Sequence, residues 1–342
     1  MKYETIMNNI TAELTGDPNQ DIPYLMQQAE KYKDHTHGQE LLSSIGAMIY
    51  EMLPEDQKQA WDEMINQDQQ GIGAVMQEVQ FQIFQKDYQA ALELLEGLVA
   101  KVEESDQYTD NEAQAYFSFN NFLEDMLYRE LYHPERDIQH VHDDYSEMYF
   151  IYGNLLLDLE RIDEAEAALL NAARWNPMRA DTLYALGEVY KRRKQWQEFY
   201  EVTVKALERA YQTENLTRGY RNLGYYYIEK EDFELATALF FLSLGFEPDN
   251  QAARAELAYI AQVTEGNIIA PTLERLTELF EQNHIQMGPN PLVVQIALSI
   301  GNEASQEGAL DAAVYFYSIA YELTGEEKIK EQIDALAGSG LV

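Results

Sequence analysis

The chain has 342 residues and a formal net charge of −36, from 60 acidic and 24 basic side chains. This negative field repels nucleic acid and anionic membrane surfaces, and a solvated acidic outer face explains most of the charge. Because there is no cysteine, disulfides, thiol catalysis and zinc sites with cysteine ligands are excluded.

The first part of the chain, residues 1–70, reads as several short helices interrupted at Pro18, Pro23, Gly38 and Pro54. No apolar run is long enough to cross a bilayer, and the N-terminus mixes acids and amides into its apolar positions, unlike a signal peptide. We therefore expect a cytoplasmic protein whose N-terminal segment is a helical cap or a separate bundle.

Between residues 71 and 145 the pattern is helical but irregular. The segment 86–98 has the features of a second helix of a hairpin, with the first helix at 72–85. A Thr109-x-x-Glu112 capping box predicts one long helix over 110–132, followed by a polar loop from residue 133 to residue 144. No stretch alternates Val, Ile or Thr as a β-strand would.

From residue 146 onward, four glycines recur within similar helical segments. Gly187 follows Gly153 by 34 residues, Gly224 follows Gly187 by 37, and Gly301 begins a looser copy. Small residues recur twelve residues after most of these glycines, where a second helix would cross the first; Phe199 departs from that pattern. The spacing predicts helix hairpins at 146–179, 180–216, 217–250 and 294–327.

This framework resembles the tetratricopeptide repeat (TPR) family, whose 34-residue unit is a helix–turn–helix. The resemblance implies an all-α fold, a right-handed superhelical solenoid of antiparallel helix hairpins. We predict an N-terminal cap or bundle over 1–70, an array over 71–328 and a C-terminal capping helix and tail over 329–342. Within the array, 72–145 and 251–293 are expected to be degenerate.

The resemblance also implies that the first helices of the hairpins line a concave groove that binds a peptide or a partner helix. Counting from each glycine predicts nine groove residues: Asn154, Asp158, Tyr184, Glu188, Lys191, Arg192, Arg218, Arg221 and Tyr225. Tyr184 and Tyr225 are expected on the open face of their helices.

The groove coincides with the basic part of an acidic chain. Ten of the 24 basic residues lie between Arg174 and Arg221, among only six acids. Two interpretations stay open: these bases form a pocket for a carboxylate or an acidic peptide, or they neutralise neighbouring acids within the fold. Phe150, Ala185 and Asn222 depart from the set by which some family members grip a chaperone's C-terminal carboxylate, so such a clamp is not predicted.

The best metal candidate is the pair His140 and His142, with His133 and two aspartates nearby; the pair His35 and His37 is weaker. Residues in a loop meet only if that loop is organised, so we predict no metal and no cofactor. No nucleotide-binding or catalytic motif is present.

The predicted function is thus a non-catalytic scaffold or adaptor that binds a protein or peptide, with neither nucleic acid nor membrane insertion. Three alternatives remain open: a peptide-responsive regulator in which 1–70 is the effector, a metal-binding protein or enzyme, and self-association through the ends of the array.

Overall fold

The fold is described by a computed structural model. It covers residues 3–16, 18–32, seven single positions between 41 and 58, 72–105, 107–141, 143–267 and 269–339. The structure is 74% helical as far as it is described, in agreement with the predicted helical fold class. No described helix has the length and apolar character needed to cross a membrane.

Sixteen helices and two strands lie in the described part of the chain, and consecutive helices form pairs. In chain order they are α1 Tyr3–Ala12, α2 Pro18–Tyr32, α3 Ile72–Phe84, α4 Tyr88–Glu103, β1 Gln114–Phe117, α5 Phe122–Tyr132, β2 Asp137–His140, α6 Tyr145–Asp158, α7 Ile162–Trp175, α8 Ala180–Arg192, α9 Trp196–Arg209, α10 Thr213–Glu229, α11 Phe233–Phe246, α12 Gln251–Val263, α13 Leu273–Gln282, α14 Pro291–Glu307, α15 Leu310–Thr324 and α16 Glu327–Ser339.

The helices from α6 to α11 form three consecutive hairpins, here called the regular repeats (145–246). One of the three second helices, α11, has a side-chain cap at its start: Asp232 accepts a hydrogen bond from the backbone N–H of Leu235 at 3.1 Å. α10 begins at Thr213, inside the unit that the sequence assigned to 180–216. The TPR-like arrangement of helix pairs that the sequence predicted is therefore present.

The recurring glycines are positions where two helices of a pair touch. A Cβ on Gly153 would lie 2.6 Å from Cγ of Leu169, and one on Gly224 would lie 2.8 Å from the ring of Phe240. Both contact residues are sixteen positions further along the chain. Since real Cβ atoms do not approach so closely, any larger residue would push the two helices apart.

The hairpin that contains Gly187 is packed differently, because Phe199 occupies the position twelve residues later where the other hairpins have a small residue. A Cβ on Gly187 would lie 3.3 Å from that ring, a looser contact than at Gly153. Phe199 is itself fully buried and meets the rings of Trp196 and Tyr225 edge-on. The large residue at this position is thus accommodated by packing against other aromatic rings.

Two compact units divide the chain, 1–77 and 78–342. In the first, α1 and α2 enclose a small core that includes Ile6, Ile10 and Leu25. Asp21 at the start of α2 accepts hydrogen bonds from the backbone N–H groups of Thr15 and Gly16 at 2.8 Å each. The bonds from Thr15 hold the pKa of Asp21 below its usual range.

In the second unit, the C-terminal hairpin α14–α15 returns to the regular repeats. The Asn290 side chain donates to the carbonyl of Glu208 at 2.7 Å, and the Thr213 hydroxyl donates to the carbonyl of Glu322 at 3.3 Å. α14 also packs against α5, and residues of all these elements share one hydrophobic core. The region between is less regular: α11 packs against both α12 and the short α13.

Residues 107–141, here called the insert, correct two predictions. The long helix expected over 110–132 is wrong: the helix begins at Phe122, where Asn121 accepts from the backbone N–H of Glu124 at 3.1 Å. The expectation of no strands is also wrong, since β1 and β2 pair in parallel. The strand sequences QAYF and DIQH contain few β-branched residues, so neither alternation nor propensity could indicate them.

Candidate functional site

The nine predicted groove residues lie on the first helices of the three regular repeats. Asn154 and Asp158 are on α6, four more are on α8, and Arg218, Arg221 and Tyr225 are on α10. Most of their side chains are half-buried, while Asp158 and Arg192 are exposed and Tyr184 is buried. All nine residues are therefore on first helices, but several of their side chains already contact other parts of the chain and do not line an open groove.

The prediction that Tyr184 lies on the open face of its helix is wrong, because its side chain is fully buried. Its hydroxyl donates to the carbonyl of Asn215 at 2.6 Å, and burial raises the pKa of Tyr184. A Cβ on Gly219 would lie 2.5 Å from this hydroxyl, so the backbone of α10 lies close against the Tyr184 side chain of α8. Counting within one hairpin could not reveal this, since the covering helix belongs to the next repeat.

Each of the two predicted groove bases on α8 has a partner within the chain. The Lys191 ammonium lies 2.6 Å from a carboxylate oxygen of Glu188 one turn earlier. Arg192 donates to the carbonyl of Leu157 at 2.8 Å, at the C-terminal end of α6, and lies 3.6 Å from Glu160. A cation at a helix C-terminus satisfies a free carbonyl and interacts favourably with the helix dipole.

The two bases on α10 are also paired, but unequally. Arg221 contacts Glu247 at 2.7 Å and donates to the hydroxyl of Ser243 at 3.3 Å. Arg218 lies 3.8 Å from Asp181, at the outer limit of an ion pair. These contacts support the interpretation in which the basic stretch neutralises acids of the fold, and they leave Arg218 as the base with the loosest partner.

Two arginines stack on an aromatic ring of the preceding repeat. The Arg179 guanidinium lies 4.1 Å from the ring centre of Phe150 and pairs with Glu147 of the same helix. In the next repeat Arg218 lies 5.0 Å from the ring centre of Tyr184. Such stacked cations hold successive first helices together.

One patch on the first helices combines charged and aromatic side chains that are half-buried. The Lys191 ammonium lies 5.3 Å from the ring centre of Tyr225, which joins α8 to α10. Burial raises the pKa of Glu256, on α12, and the nearby Lys191 partly offsets this. Side chains of three successive first helices therefore meet around Lys191.

A groove that sequence analysis missed runs along α14, the first helix of the C-terminal hairpin. Its volume is about 630 Å³, and Val294 and Leu298 form its apolar floor beside the polar Gln295 and Ser299. Asn302 accepts a hydrogen bond from the Tyr317 hydroxyl at 2.7 Å through its side-chain oxygen, which leaves its amide N–H groups for other partners. The glycine spacing predicts a helix at α14, but the lining of the groove is mostly apolar or uncharged and carries no motif.

A buried polar centre in the insert was also missed. Glu124 of α5 is 1% exposed, and its carboxylate accepts four hydrogen bonds. The donors are the Asn120 backbone N–H at 2.7 Å, the Asn120 side chain at 3.1 Å, the Asn176 side chain at 2.7 Å and the Tyr211 hydroxyl at 3.0 Å. Burial raises the pKa of Glu124, and these bonds oppose the rise.

Asn176 and Tyr211 lie at the junctions that follow α7 and α9, so Glu124 ties the insert to two regular repeats. Nothing local in the sequence indicates this, because the partners are 52 and 87 residues away. All four of these donors are neutral groups, and their hydrogen bonds to Glu124 hold backbone elements together.

The histidine candidates do not form a metal site in the described part of the chain. His140 lies 3.2 Å from Asp125, and no group of three ligating side chains occurs among the described residues. His35, His37 and His142 lie outside the described residues.

Comparisons with known proteins give structural likeness only. No protein-family model matches the chain, and no curated protein matches it. A tetratricopeptide repeat protein from Parabacteroides merdae is 12% identical, with 98% of each chain covered and a TM-score of 0.37.

Two further solved structures are similar in kind. YrrB, described as a TPR protein with an unusual peptide-binding site, is 15% identical over 62% of this chain and 97% of its own, with a TM-score of 0.30. The anaphase-promoting complex assembly Cut9–Hcn1 is 11% identical over 95% of this chain and 61% of its own, with a TM-score of 0.34. Similarity at these TM-scores carries no argument about the function of this chain.

Proposed function

We propose that this protein is a non-catalytic scaffold or adaptor that holds a protein or peptide segment against the first helices of its repeats. The observation that carries the proposal is the open groove of about 630 Å³ along α14, which combines an apolar floor with amide side chains. An extended or helical segment would bury apolar side chains on Val294 and Leu298 and exchange hydrogen bonds with Gln295 and Asn302.

The predicted groove residues around Lys191 and Tyr225 form a second contact surface within the same proposal. An acidic residue of the bound segment would have to compete with Glu188, Glu160 and Glu247 for three of the four bases. Arg218, with its loose contact to Asp181, is the base that a carboxylate would reach at the lowest cost. An amphipathic segment with few charges is therefore favoured over a strongly acidic one.

Photo-crosslinking tests both surfaces. A photoreactive phenylalanine analogue would be placed singly at Ser299 in the α14 groove, at Tyr225 near Lys191, and at Leu170 on the second helix α7. Leu170 is the matched control, since it is 50% exposed and lies outside both surfaces. Each variant would be irradiated in native extract and its adducts identified by mass spectrometry.

The expected result is one discrete protein adduct at position 299 and none at position 170. The same adduct at position 225 would extend the site to the regular repeats. Equal, unspecific adducts at all three positions, or none at any, would contradict the proposal. A competing acidic peptide that removes the adduct at position 225 would restore the acidic interpretation.

A further inference from the structure

The insert contains a two-stranded parallel sheet whose two edges differ. In its register Ala115 is opposite Ile138, and Phe117 is opposite His140. The backbone N–H groups of Asp137 and Val141 donate across the pair to Ala113 and Phe117, each at 2.8 Å. Because alternate residues of a parallel strand face its partner, the N–H and C=O groups of Ile138 and His140 face away from β1.

The outer edge of β1 is closed by the chain itself. Each of its outward N–H groups has an acceptor: Gln114 donates to Asn111 Oδ1 at 2.9 Å, Tyr116 to Asp110 Oδ1 at 3.0 Å, and Ser118 to the Trp175 carbonyl at 2.9 Å. Its outward carbonyls are likewise bonded: that of Gln114 accepts from the Asn111 N–H at 3.0 Å, and that of Tyr116 from Arg174 Nη1 at 3.3 Å. No place for a further strand remains on this side.

The outer edge of β2 has no such partners among the described residues. No hydrogen bond from that part of the chain reaches the outward N–H or C=O of Ile138 or His140. The strand is nevertheless held in place by its side chains, since Ile138 is buried beside Phe117 and the His140 imidazole lies 3.2 Å from Asp125 of α5. A short, fixed strand with one free edge is a template for strand addition.

The negative charge around β2 favours a positively charged partner. Residues 130–147 contain six acids and one base, Arg136, which already pairs with Asp110. Asp137 and Glu135 at one end of the strand, and Asp144 past its other end, are exposed. No ion pair within the described residues involves Glu135 or Asp137, whereas Asp144 accepts from the backbone N–H of Glu147 at 2.8 Å and lies in the field of Arg179. A second copy of this chain would bring the same acids together, whereas an extended segment with lysine or arginine would meet complementary charge.

We propose that the free edge of β2 accepts an extended, positively charged segment of a partner protein as a third strand. The backbone of that segment would hydrogen-bond to Ile138 and His140, and its basic side chains would contact the flanking acids. Two strands alone form a marginal sheet, and a third would stabilise it. This site is separate from the surfaces on α8, α10 and α14 and does not depend on them.

Two substitutions of His140 separate the contribution of the free edge of β2 from that of the imidazole side chain. His140→Pro removes an outward N–H that β1 does not use and places a ring at the free edge. His140→Ala is the matched control, because it loses the same imidazole and the same contact with Asp125 but keeps the N–H. The probe is a fluorescent heptapeptide of alternating lysine and valine, and the readout is fluorescence anisotropy with the full chain at about 0.15 M salt.

We expect the wild type and His140→Ala to bind the probe with Kd values within about threefold of each other. His140→Pro should weaken binding by about tenfold, through the lost hydrogen bond and the steric block. The matching glutamate–valine heptapeptide should not bind. Equal binding of the probe by His140→Pro and His140→Ala would reduce the effect to unspecific charge attraction and overturn the proposal, as would absence of probe binding to the wild type.

Amide hydrogen exchange in the unmodified chain gives a test that does not depend on a variant folding. The N–H groups of Ile138 and His140 should exchange quickly without the probe and slow at least tenfold with it, whereas those of Gln114 and Tyr116 should be protected in both states. Protection of Ile138 and His140 without the probe would contradict a free edge. If that protection appears together with a dimer in light scattering, a second copy occupies the edge and the proposed partner is wrong.

Discussion

The regular repeats and the insert are built on different kinds of contact. In the regular repeats, each helix packs against its immediate neighbours, and the close approaches recur at fixed distances from a glycine, as at Gly153 and Gly224. In the insert, α5 is held by a buried carboxylate whose partners Asn176 and Tyr211 come from two other hairpins. Periodic packing can therefore be inferred from the sequence, whereas a single long-range polar contact cannot.

The largest loss of stability is expected for Glu124→Ala, a substitution in the insert. The substitution leaves Asn176, Tyr211 and Asn120 without their acceptor in a buried site, and opens a cavity beside them. We expect the free energy of unfolding to fall by about 3 kcal/mol. Urea denaturation measures the change.

Glu130→Ala on the exposed side of α5 is the control for Glu124→Ala, with an expected change below about 0.5 kcal/mol. If the two variants lose the same stability, the polar network does not anchor the insert.

A smaller loss is expected where the regular repeats are tightest. Gly153→Ala would place a Cβ 2.6 Å from Cγ of Leu169, and should cost about 2 kcal/mol even after the gain in helix propensity. Gly187→Ala, at 3.3 Å from Phe199, should cost less. Thermal and urea unfolding of both variants would show whether the contact distance orders the losses.

The reference for these two variants is Gly245→Ala in α11, where no atom lies within 4 Å of the added Cβ. That variant should gain about 0.5–1 kcal/mol from helix propensity alone. A gain of similar size in Gly153→Ala would show that the glycine frame does not mark close packing.

Of the two bases on α10, Arg221 should contribute at least about 0.5 kcal/mol more to stability than Arg218. Arg221, whose side chain is 20% exposed, contacts both Glu247 and Ser243, so Arg221→Ala is expected to lower the free energy of unfolding by about 1 kcal/mol. Arg218→Ala should cost less than about 0.5 kcal/mol, because its ion pair is long and solvent-screened. Equal losses would mean that both bases have the same structural role.

The smallest expected effect is a dependence of the protein's stability on pH. Burial raises the pKa of Glu124 above its usual value of 4.5, so its contribution to stability is complete below that value and is lost as the pH rises through the folded-state pKa. Glu124→Gln cannot titrate. The stability of the wild type relative to this variant should therefore decrease as the pH rises above 4.5, as measured by urea denaturation at several pH values. An increase over that range would show that the hydrogen bonds outweigh burial.

Much of the helical architecture could be predicted, because a helix pair needs a small residue wherever its two helices cross, and that need repeats. The placement of Tyr184 could not, since a residue on the outer side of one hairpin becomes buried only when the next repeat covers it. The strands of the insert were equally hidden, because β1 and β2 are stabilised by pairing with each other and by side chains such as Asn111.

The basic stretch shows the same limit for the candidate site. Composition located the ten bases, but only the structure shows that Lys191, Arg192 and Arg221 are already in contact with acids or carbonyls of the fold. The α14 groove was missed because it carries little charge and lies in the loosest copy of the repeat.

The return of the C-terminal hairpin to the regular repeats has a kinetic consequence. An array stabilised only by neighbours forms quickly, since each contact closes a short loop of chain. Here the hydroxyl of Thr213 meets a carbonyl 109 residues away, and Asn290 meets one 82 residues away. Closing such loops costs entropy before any contact compensates it, so refolding should have a slow step that belongs to docking of this hairpin and is absent from the regular repeats alone.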